Sequence, residues 1–398
     1  MVQVVVRNVS KSFGRKMPHL ALSNISITAE DGEFLVLLGP SGSGKTTLLR
    51  AIAGLEQVDA GEIEIGGRKV NDVDPGRRNV GMVFQDYALY PHLSVRQNIS
   101  YNMKLRRVAR ADIERRVGEV ARMLGIGELL VRRPAELSGG QRQRVAVARA
   151  ITRDASVLLM DEPLSNLDAQ IREHVRVEIR ELQRRIGVTT IYVTHDQVEA
   201  MVLADRIAVM ANGAIEQIGT AENVYSRPAT LFCARFVGSP KVNEIAGSLE
   251  RTETRTAIFS IAADSGERPL ALQLELESAP THPAAENCVL VFRPEDCRIM
   301  PESLASIPIT PTFVENRGSE KYLVAALAQQ WRHAQISADL RLKIGDQNQA
   351  STAFLPGRIH LFDHVSGARV AAGHCVAASG CERDRGLEDH PGKATAAR

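Results

Sequence analysis

The stretch FLVLLGPSGSGKTTLLRAIAGL, residues 34–55, constrains this chain more than any other. Phe34–Gly39 is a continuous apolar run, the pattern of a strand buried on both faces of a parallel sheet. Gly39–Thr46 fits G-x-x-x-x-G-K-[ST], and the residues from Thr47 onward open a helix. Strand, glycine-rich loop and helix therefore follow one another. In such a loop the glycines let successive backbone N–H groups turn inward on phosphate oxygens. Lys45 then reaches the β- and γ-phosphates, and the Thr46 hydroxyl can ligate Mg²⁺. Gly39, Pro40, Ser41, Gly42, Ser43, Gly44, Lys45, Thr46 and Thr47 are thus the candidate residues for a nucleoside triphosphate.

A second anion grip lies about ninety residues on. LSGGQRQRVAVARA (Leu137–Ala150) puts a serine and two glycines at the mouth of a helix whose polar side carries Arg and Gln. Between and after these grips come the acids. VLLMDEP ends a buried strand on Asp161, where a carboxylate would meet the metal, and Glu162 could orient and deprotonate a water. His195 ends the strand-like TIYVTH, at the carboxyl edge where ligands bind in parallel sheets. Gln85 also follows a strand-like run, in MVFQDYALYPH, and Phe13 could either stack on a base or pack in a core.

The chain has 398 residues, which suits two or three domains rather than one. From Val2 to about Phe236, short strands mix with amphipathic helices. VQVVVRNV and ALSNISIT alternate like half-exposed antiparallel strands, and Val95–Leu130 reads as a helical stretch. DAQIREHVRVEIRELQRRIG is a helix with Asp168 as N-cap and Gly187 as stop, and Asn212–Gly213 marks a hairpin. After a linker at 237–243 the texture changes. IAGSLE, RTAIFSI, LALQLEL, CVLVFRPED, KYLVAALA and RIHLFD read as strands of a small β-barrel over 244–370, with 371–398 a disordered tail. A net charge of +2 gives no reason to expect nucleic acid as a partner, and five cysteines without regular spacing fit reduced thiols. The amino terminus lacks the pattern of a signal peptide, and no run approaches the ~18 apolar residues of a membrane span.

GPSGSGKTT, VFQ at Gln85, LSGGQ at Leu137–Gln141, LLMDEP, SNLD at Ser165–Asp168 and His195 occur in one order. Together they resemble the ATP-binding cassette (ABC) transporter ATPases, over the whole of Val2 to about Phe236. The resemblance implies an α/β P-loop cassette domain at 1–236, with a mixed central sheet, an antiparallel β subdomain and a helical subdomain. It implies Mg²⁺-dependent hydrolysis of ATP, with Phe13 and Gly39–Thr47 binding ATP, Thr46, Gln85 and Asp161 at the metal, and Glu162, His195 and Gln85 catalytic. In this family two copies face head to tail. Leu137, Ser138, Gly139, Gly140 and Gln141 would then act in trans on the phosphate held by a partner, which explains why one chain carries two grips, and Asp168 would lie at the dimer seam. FVGSPKVN, VFRPED and RIHLFD are similar to the regulatory, OB-like barrel of carbohydrate-uptake importers of the maltose and sn-glycerol-3-phosphate type. A chain of that type would sit on the cytoplasmic face of the membrane as a homodimer or with a paired ATPase subunit. It would dock near Gln85–His92 on two membrane-spanning permease subunits and depend indirectly on an extracytoplasmic solute-binding protein. A non-carbohydrate solute such as sulfate or polyamine, or a soluble cassette ATPase, is the alternative.

Overall fold

The computed structural model describes residues 2–14, 19–152, 155–261, 270–278, 284–301, 307–318, 320–327, 330–338, 352–356 and 358–379. It divides into two units, Met1–Val237 and Gly238–Arg398. The first begins with β1 (Val4–Phe13), β2 (His19–Ala29), β3 (Phe34–Leu38), α1 (Lys45–Ala53), β4 (Ala60–Ile65), β5 (Arg68–Lys69) and β6 (Val80–Val83). Next come α2 (Val95–Leu105), α3 (Arg110–Met123), α4 (Gly139–Ile151), β7 (Val157–Asp161), α5 (Ala169–Ile186) and β8 (Thr189–Thr194). The unit closes with α6 (Gln197–Leu203), β9 (Arg206–Ala211), β10 (Ala214–Gly219), α7 (Ala221–Ser226) and α8 (Leu231–Phe236).

The central sheet has the order β10-β9-β3-β8-β7-β6, parallel except for β10 at its edge. Every residue of β3, β7 and β8 is buried, as parallel strands covered on both faces are. The apolar run is unbroken in β3, ends on Asp161 in β7, and in β8 is mixed with the buried Thr189, Thr190 and Thr194. A separate antiparallel sheet, β2-β1-β4-β5, alternates buried and exposed positions along β1. The β9–β10 hairpin turns on Asn212 (φ +49°) and Gly213 (φ +76°), the positive pair expected of its sequence. Likewise the Asp168 carboxylate caps α5 by accepting from Ile171 N at 2.9 Å, and Gly187 ends that helix in the left-handed region.

The helical stretch expected over Val95–Leu130 is two helices and a single 3₁₀ turn, with Arg107 at φ +57° in the break. Val95, Ile99 and Met103 of α2 enter the same core as Ile113, Val117 and Val120 of α3. A continuous rod could not bury both stripes in one core, so the chain turns back between them.

The second unit holds β11 (Asn243–Arg251), β12 (Thr256–Ile261), β13 (Leu270–Leu276), β14 (Ala284–Phe292), β15 (Cys297–Pro301) and β16 (Ile307–Asn316). It continues through β17 (Lys321–Leu327), β18 (Gln330–Ala338), β19 (Thr352–Pro356), β20 (Ile359–Asp363) and β21 (Arg369–Ser379). A closed antiparallel barrel, β11-β12-β13-β21-β20-β14, surrounds Leu249, Phe259, Leu272, Leu290 and Leu361. Two expectations need correction here. KYLVAALA is not a barrel strand: it forms β17 of a separate sheet, β15-β19-β16-β17-β18. And the tail expected from residue 371 begins later, because 371–379 belong to β21, which pairs with both β13 and β20 and closes the barrel. Residues 380–398 lie outside the described residues. The small residues that make this segment look featureless are what its place demands. A Cβ on Gly373 would fall 2.1 Å from Glu275 O. Cys233, Cys288, Cys297 and Cys375 are buried, and among the described residues no disulfide joins them.

Ending the chain at Val370 removes the strand that carries Ala371, Ala372 and Cys375 into the barrel wall. That truncation should lower the barrel's unfolding midpoint by roughly 10 °C or more, whereas ending it at Ser379 should leave the midpoint unchanged. Differential scanning calorimetry of the two truncations compares them directly.

Candidate nucleotide site

Between β3 and α1 the loop is closed behind and open in front. Cβ atoms added to Gly39 and Gly44 would fall 2.3 Å from Met210 O and 2.4 Å from Ala21 O, so both glycines are fixed by backbone packed against them. The β9–β10 turn braces the loop as well, with Gly213 N donating to Ser43 O at 3.2 Å. In front, Ser41 and Gly42 are exposed, and Gly42 (φ +82°) has open space where a side chain would be. Lys45 is 4% exposed. Its ammonium donates to Gly39 O (2.9 Å), Pro40 O (2.8 Å) and the Ser43 hydroxyl (3.4 Å). Burial lowers its pKa, and the negative charges of Glu162 and Asp161 work against that shift.

The Thr46 hydroxyl donates to Asp161 Oδ1 at 2.8 Å, joining the first turn of α1 to the end of β7. Burial raises the Asp161 pKa, opposed by this bond and by Arg50 and Lys45. Glu162 turns out of the strand with φ +42°, an uncommon conformation for a residue with a side chain, while its N–H still donates to Val193 O at 3.1 Å. Its carboxylate Oε2 lies 3.1 Å from Nδ1 of His195, whose ring is half exposed. Lys45, Thr46, Asp161, Glu162 and His195 are therefore one connected group at the carboxyl edge of the sheet. The group suits a nucleoside triphosphate with a divalent cation. It offers a glycine loop open in front and fixed behind by backbone that leaves no room for a Cβ at Gly39 or Gly44, a buried ammonium, and a hydroxyl and carboxylate as hard oxygen donors.

Gln85 is exposed just beyond β6, and its carbonyl accepts from Asn166 Nδ2 at 2.9 Å. After it, Tyr87 (φ +64°) and Ala88 (φ +45°) are both left-handed, and Arg149 of α4 donates to both of their carbonyls. Arg149 is a correction to the expected polar side of α4: it is 9% exposed, and Gln143 is fully buried. The signal was present, since Arg149 stands among Val145, Ala146, Val147, Ala148 and Ala150, on the apolar side of the helix. An open groove beside this loop is lined by Leu55, Pro75, Phe84, Ala88, Tyr90 and Arg149.

At the second grip Ser138 caps α4, with reciprocal bonds between Ser138 and Gln141 at 3.0 and 3.3 Å. Leu137 is buried. Side chains at Gly139 or Gly140 would meet Leu167 at 2.8 Å and Ile171 at 3.1 Å. The neighbours of this grip are thus Leu167, Ile171 and Tyr87, whereas those of the P-loop are Ala21, Met210 and Gly213. Asp168 is exposed and caps α5. Phe13 ends β1 with its ring 42% exposed and Lys11 Nζ 5.3 Å from its centroid, so it is not a core residue.

The family model described as ABC transporter matches residues 22–165. The sn-glycerol-3-phosphate import ATP-binding protein UgpC 2 of Agrobacterium fabrum is 45% identical over 371 residues, covering 93% of this chain and 95% of that protein. The trehalose import ATP-binding protein SugC of Mycobacterium tuberculosis is 42% identical over 403 residues, 94% of this chain and 100% of its own length. The dimeric structure of MJ0796, a bacterial ABC transporter cassette, superposes with a TM-score of 0.51 at 30% identity, over 55% of this chain and 98% of that one.

A raised carboxyl pKa means the folded state takes up its proton first on acidification. The cost of holding Asp161 ionised is therefore present above its folded pKa and fades as pH falls below it. Asp161→Asn keeps an acceptor for Thr46, and at pH 7 without nucleotide it should raise the unfolding midpoint by about 2–4 °C. The gain should shrink as pH falls, and ATP turnover should be lost. Thermal unfolding across pH 4–8 checks the sign.

Proposed function

This chain belongs to the family of ABC transporter ATP-binding proteins, and on that premise we propose that it is the ATPase subunit of an importer for a sugar, polyol or glycerol-3-phosphate. The observation that carries the hydrolytic part of the reading is the contact of Glu162 with His195 beside Lys45, Thr46 and Asp161. Thr46, Asp161 and Gln85 would hold a Mg²⁺ ion, which would supply positive charge against the phosphate oxygens. Lys45 neutralises further charge there, and Glu162 takes the proton of the attacking water. His195 orients Glu162 through Nδ1, which leaves Nε2 of its half-exposed ring for a phosphate oxygen. Phe13 offers its exposed ring to the base.

Two chains work head to tail in this reading. The Leu137–Gln141 grip of each then reaches the phosphate on the partner's P-loop, and Asp168 lies at the seam. The different neighbours of the two grips within one chain support that arrangement. Loss of the bridging phosphate frees the halves to part. The loop Gln85–His92 and its groove meet two permease subunits on the cytoplasmic face, and a solute-binding protein delivers the cargo to them. Among the described residues no helix is long and apolar enough to cross a membrane, which suits a peripheral subunit. The cassette occupies 1–236, and the carboxyl-terminal unit, whose barrel is closed by β21 as far as Ser379, regulates it.

Glu162→Gln should accumulate an ATP-bound dimer on gel filtration, and a species that stays monomeric in saturating Mg-ATP contradicts the head-to-tail pair. In cells, Lys45→Ala should abolish uptake of one labelled solute from a panel of glycerol-3-phosphate, maltose, other oligosaccharides, polyols, sulfate and polyamine. Loss of sulfate or polyamine uptake alone would replace the carbohydrate assignment. Unchanged uptake of every solute would overturn import.

A further inference from the structure

The strand that delivers His195 ends in a buried polar knot. Glu199 of α6 is 3% exposed. One of its oxygens, Oε2, accepts from two hydroxyls, those of Tyr192 at 2.9 Å and Thr194 at 2.7 Å. Strand geometry puts residues 192 and 194 on one face of β8, the face turned to Glu199. His195 follows the last residue of the strand, and its imidazole reaches Glu162. Thr194 carries the knot forward, because its hydroxyl also accepts from Asp196 N at 2.9 Å. Asp196 in turn caps α6, accepting from Val198 N at 2.8 Å and Glu199 N at 3.1 Å. Its other oxygen lies 3.4 Å from Arg172 Nη1, and Arg172 Nη2 donates to Leu167 O at 2.9 Å. The residue before His195 and the residue after it are therefore bonded to each other, the first through its hydroxyl to the buried Glu199 carboxylate and the second through its carboxylate to the Glu199 backbone N–H.

A carboxylate this deeply buried is expensive, and burial raises its pKa against the pull of the two hydroxyls. Hydrophobic packing would hold α6 on the sheet at less cost, so the knot calls for a role beyond cohesion. We infer that Glu199, acting through the Thr194 hydroxyl that also accepts from Asp196 N, is a positioning residue that fixes the backbone on both sides of His195 and so aims its ring at Glu162. This rests on the reading that His195 takes part in hydrolysis. Tyr192 contributes a bond of the same kind to the same oxygen but does not touch the backbone beside His195. That makes it an internal control.

The experiment compares Thr194→Val, Thr194→Ser, Tyr192→Phe, Glu199→Gln and His195→Ala in the full-length protein, by Mg-ATP turnover and thermal unfolding. Thr194→Val and Tyr192→Phe each delete one hydroxyl bond to Glu199 Oε2. Positioning predicts that Thr194→Val lowers kcat about tenfold with little change in KM, and that Thr194→Ser restores it. Tyr192→Phe should keep kcat within about twofold even where its loss of stability matches that of Thr194→Val. Glu199→Gln should lower kcat without lowering the unfolding midpoint, and it decides the question if Thr194→Val does not fold. Equal kcat for Thr194→Val and Tyr192→Phe, or unchanged kcat for Glu199→Gln, overturns the inference. His195→Ala separates the two levels. If it lowers turnover while those variants behave alike, only the positioning role falls, and if turnover survives, the role of His195 falls with it.

Discussion

The hydrogen bond from Thr46 to Asp161 closes the site, and it depends on the register of the sheet. Leu38 lies beside Thr194 and Asp161 beside Val193, so β3, β8 and β7 finish level with one another. The first turn of α1 and the end of β7 then meet over β8, which separates their strands in the sheet. His195 emerges from the strand between them. A slip of one residue would turn every side chain of a strand to the opposite face and separate the hydroxyl from the carboxylate. Close packing of different side chains against the two faces of β3, β7 and β8 resists that slip and keeps the hydroxyl and the carboxylate together.

The groups that do chemistry are held at a cost. Asp161 and Glu199 are carboxylates with raised pKa, Lys45 is a buried cation, and Glu162 has a backbone conformation that side chains disfavour. Each is compensated locally, by Thr46, by Thr194 and Tyr192, by loop carbonyls and by Val193. Arg149 belongs with them. It binds the carbonyls of two left-handed residues beyond Gln85 and so ties the helix of the second grip to the loop that leaves β6.

What could be read from the sequence follows from the range of the forces involved. Gly42, Gly44, Gly187 and Asn212–Gly213 were legible because a positive φ is a local demand. Strands β3 and β7 were legible because burial on both faces leaves a nearly unbroken apolar run. The contact of Glu162 with His195 was not, since it depends on two strands meeting. Neither was β21, because a strand built mostly of small residues, with Gly373 pressed against the Glu275 carbonyl, looks like an unpatterned segment. The assignment of KYLVAALA to the barrel failed for a similar reason: a strand's pattern does not name its partners.

The packing behind the P-loop also sets an order of events during synthesis. Gly39 and Gly44 are confined by Met210 and Ala21, Ser43 is bonded by Gly213, and β3 lies between β8 and β9. The loop is thus made early but supported only when the chain has grown roughly 170 residues further. At ~5–20 residues per second that is a delay of roughly ten to thirty seconds. For most of it the apolar β3 has neither neighbouring strand, and until Met210 and Gly213 are in place the glycines are not fully held in the shape that receives phosphate. The ribosome therefore releases the ability to grip nucleotide late and nearly all at once, with the hairpin at Asn212–Gly213 as its last required part.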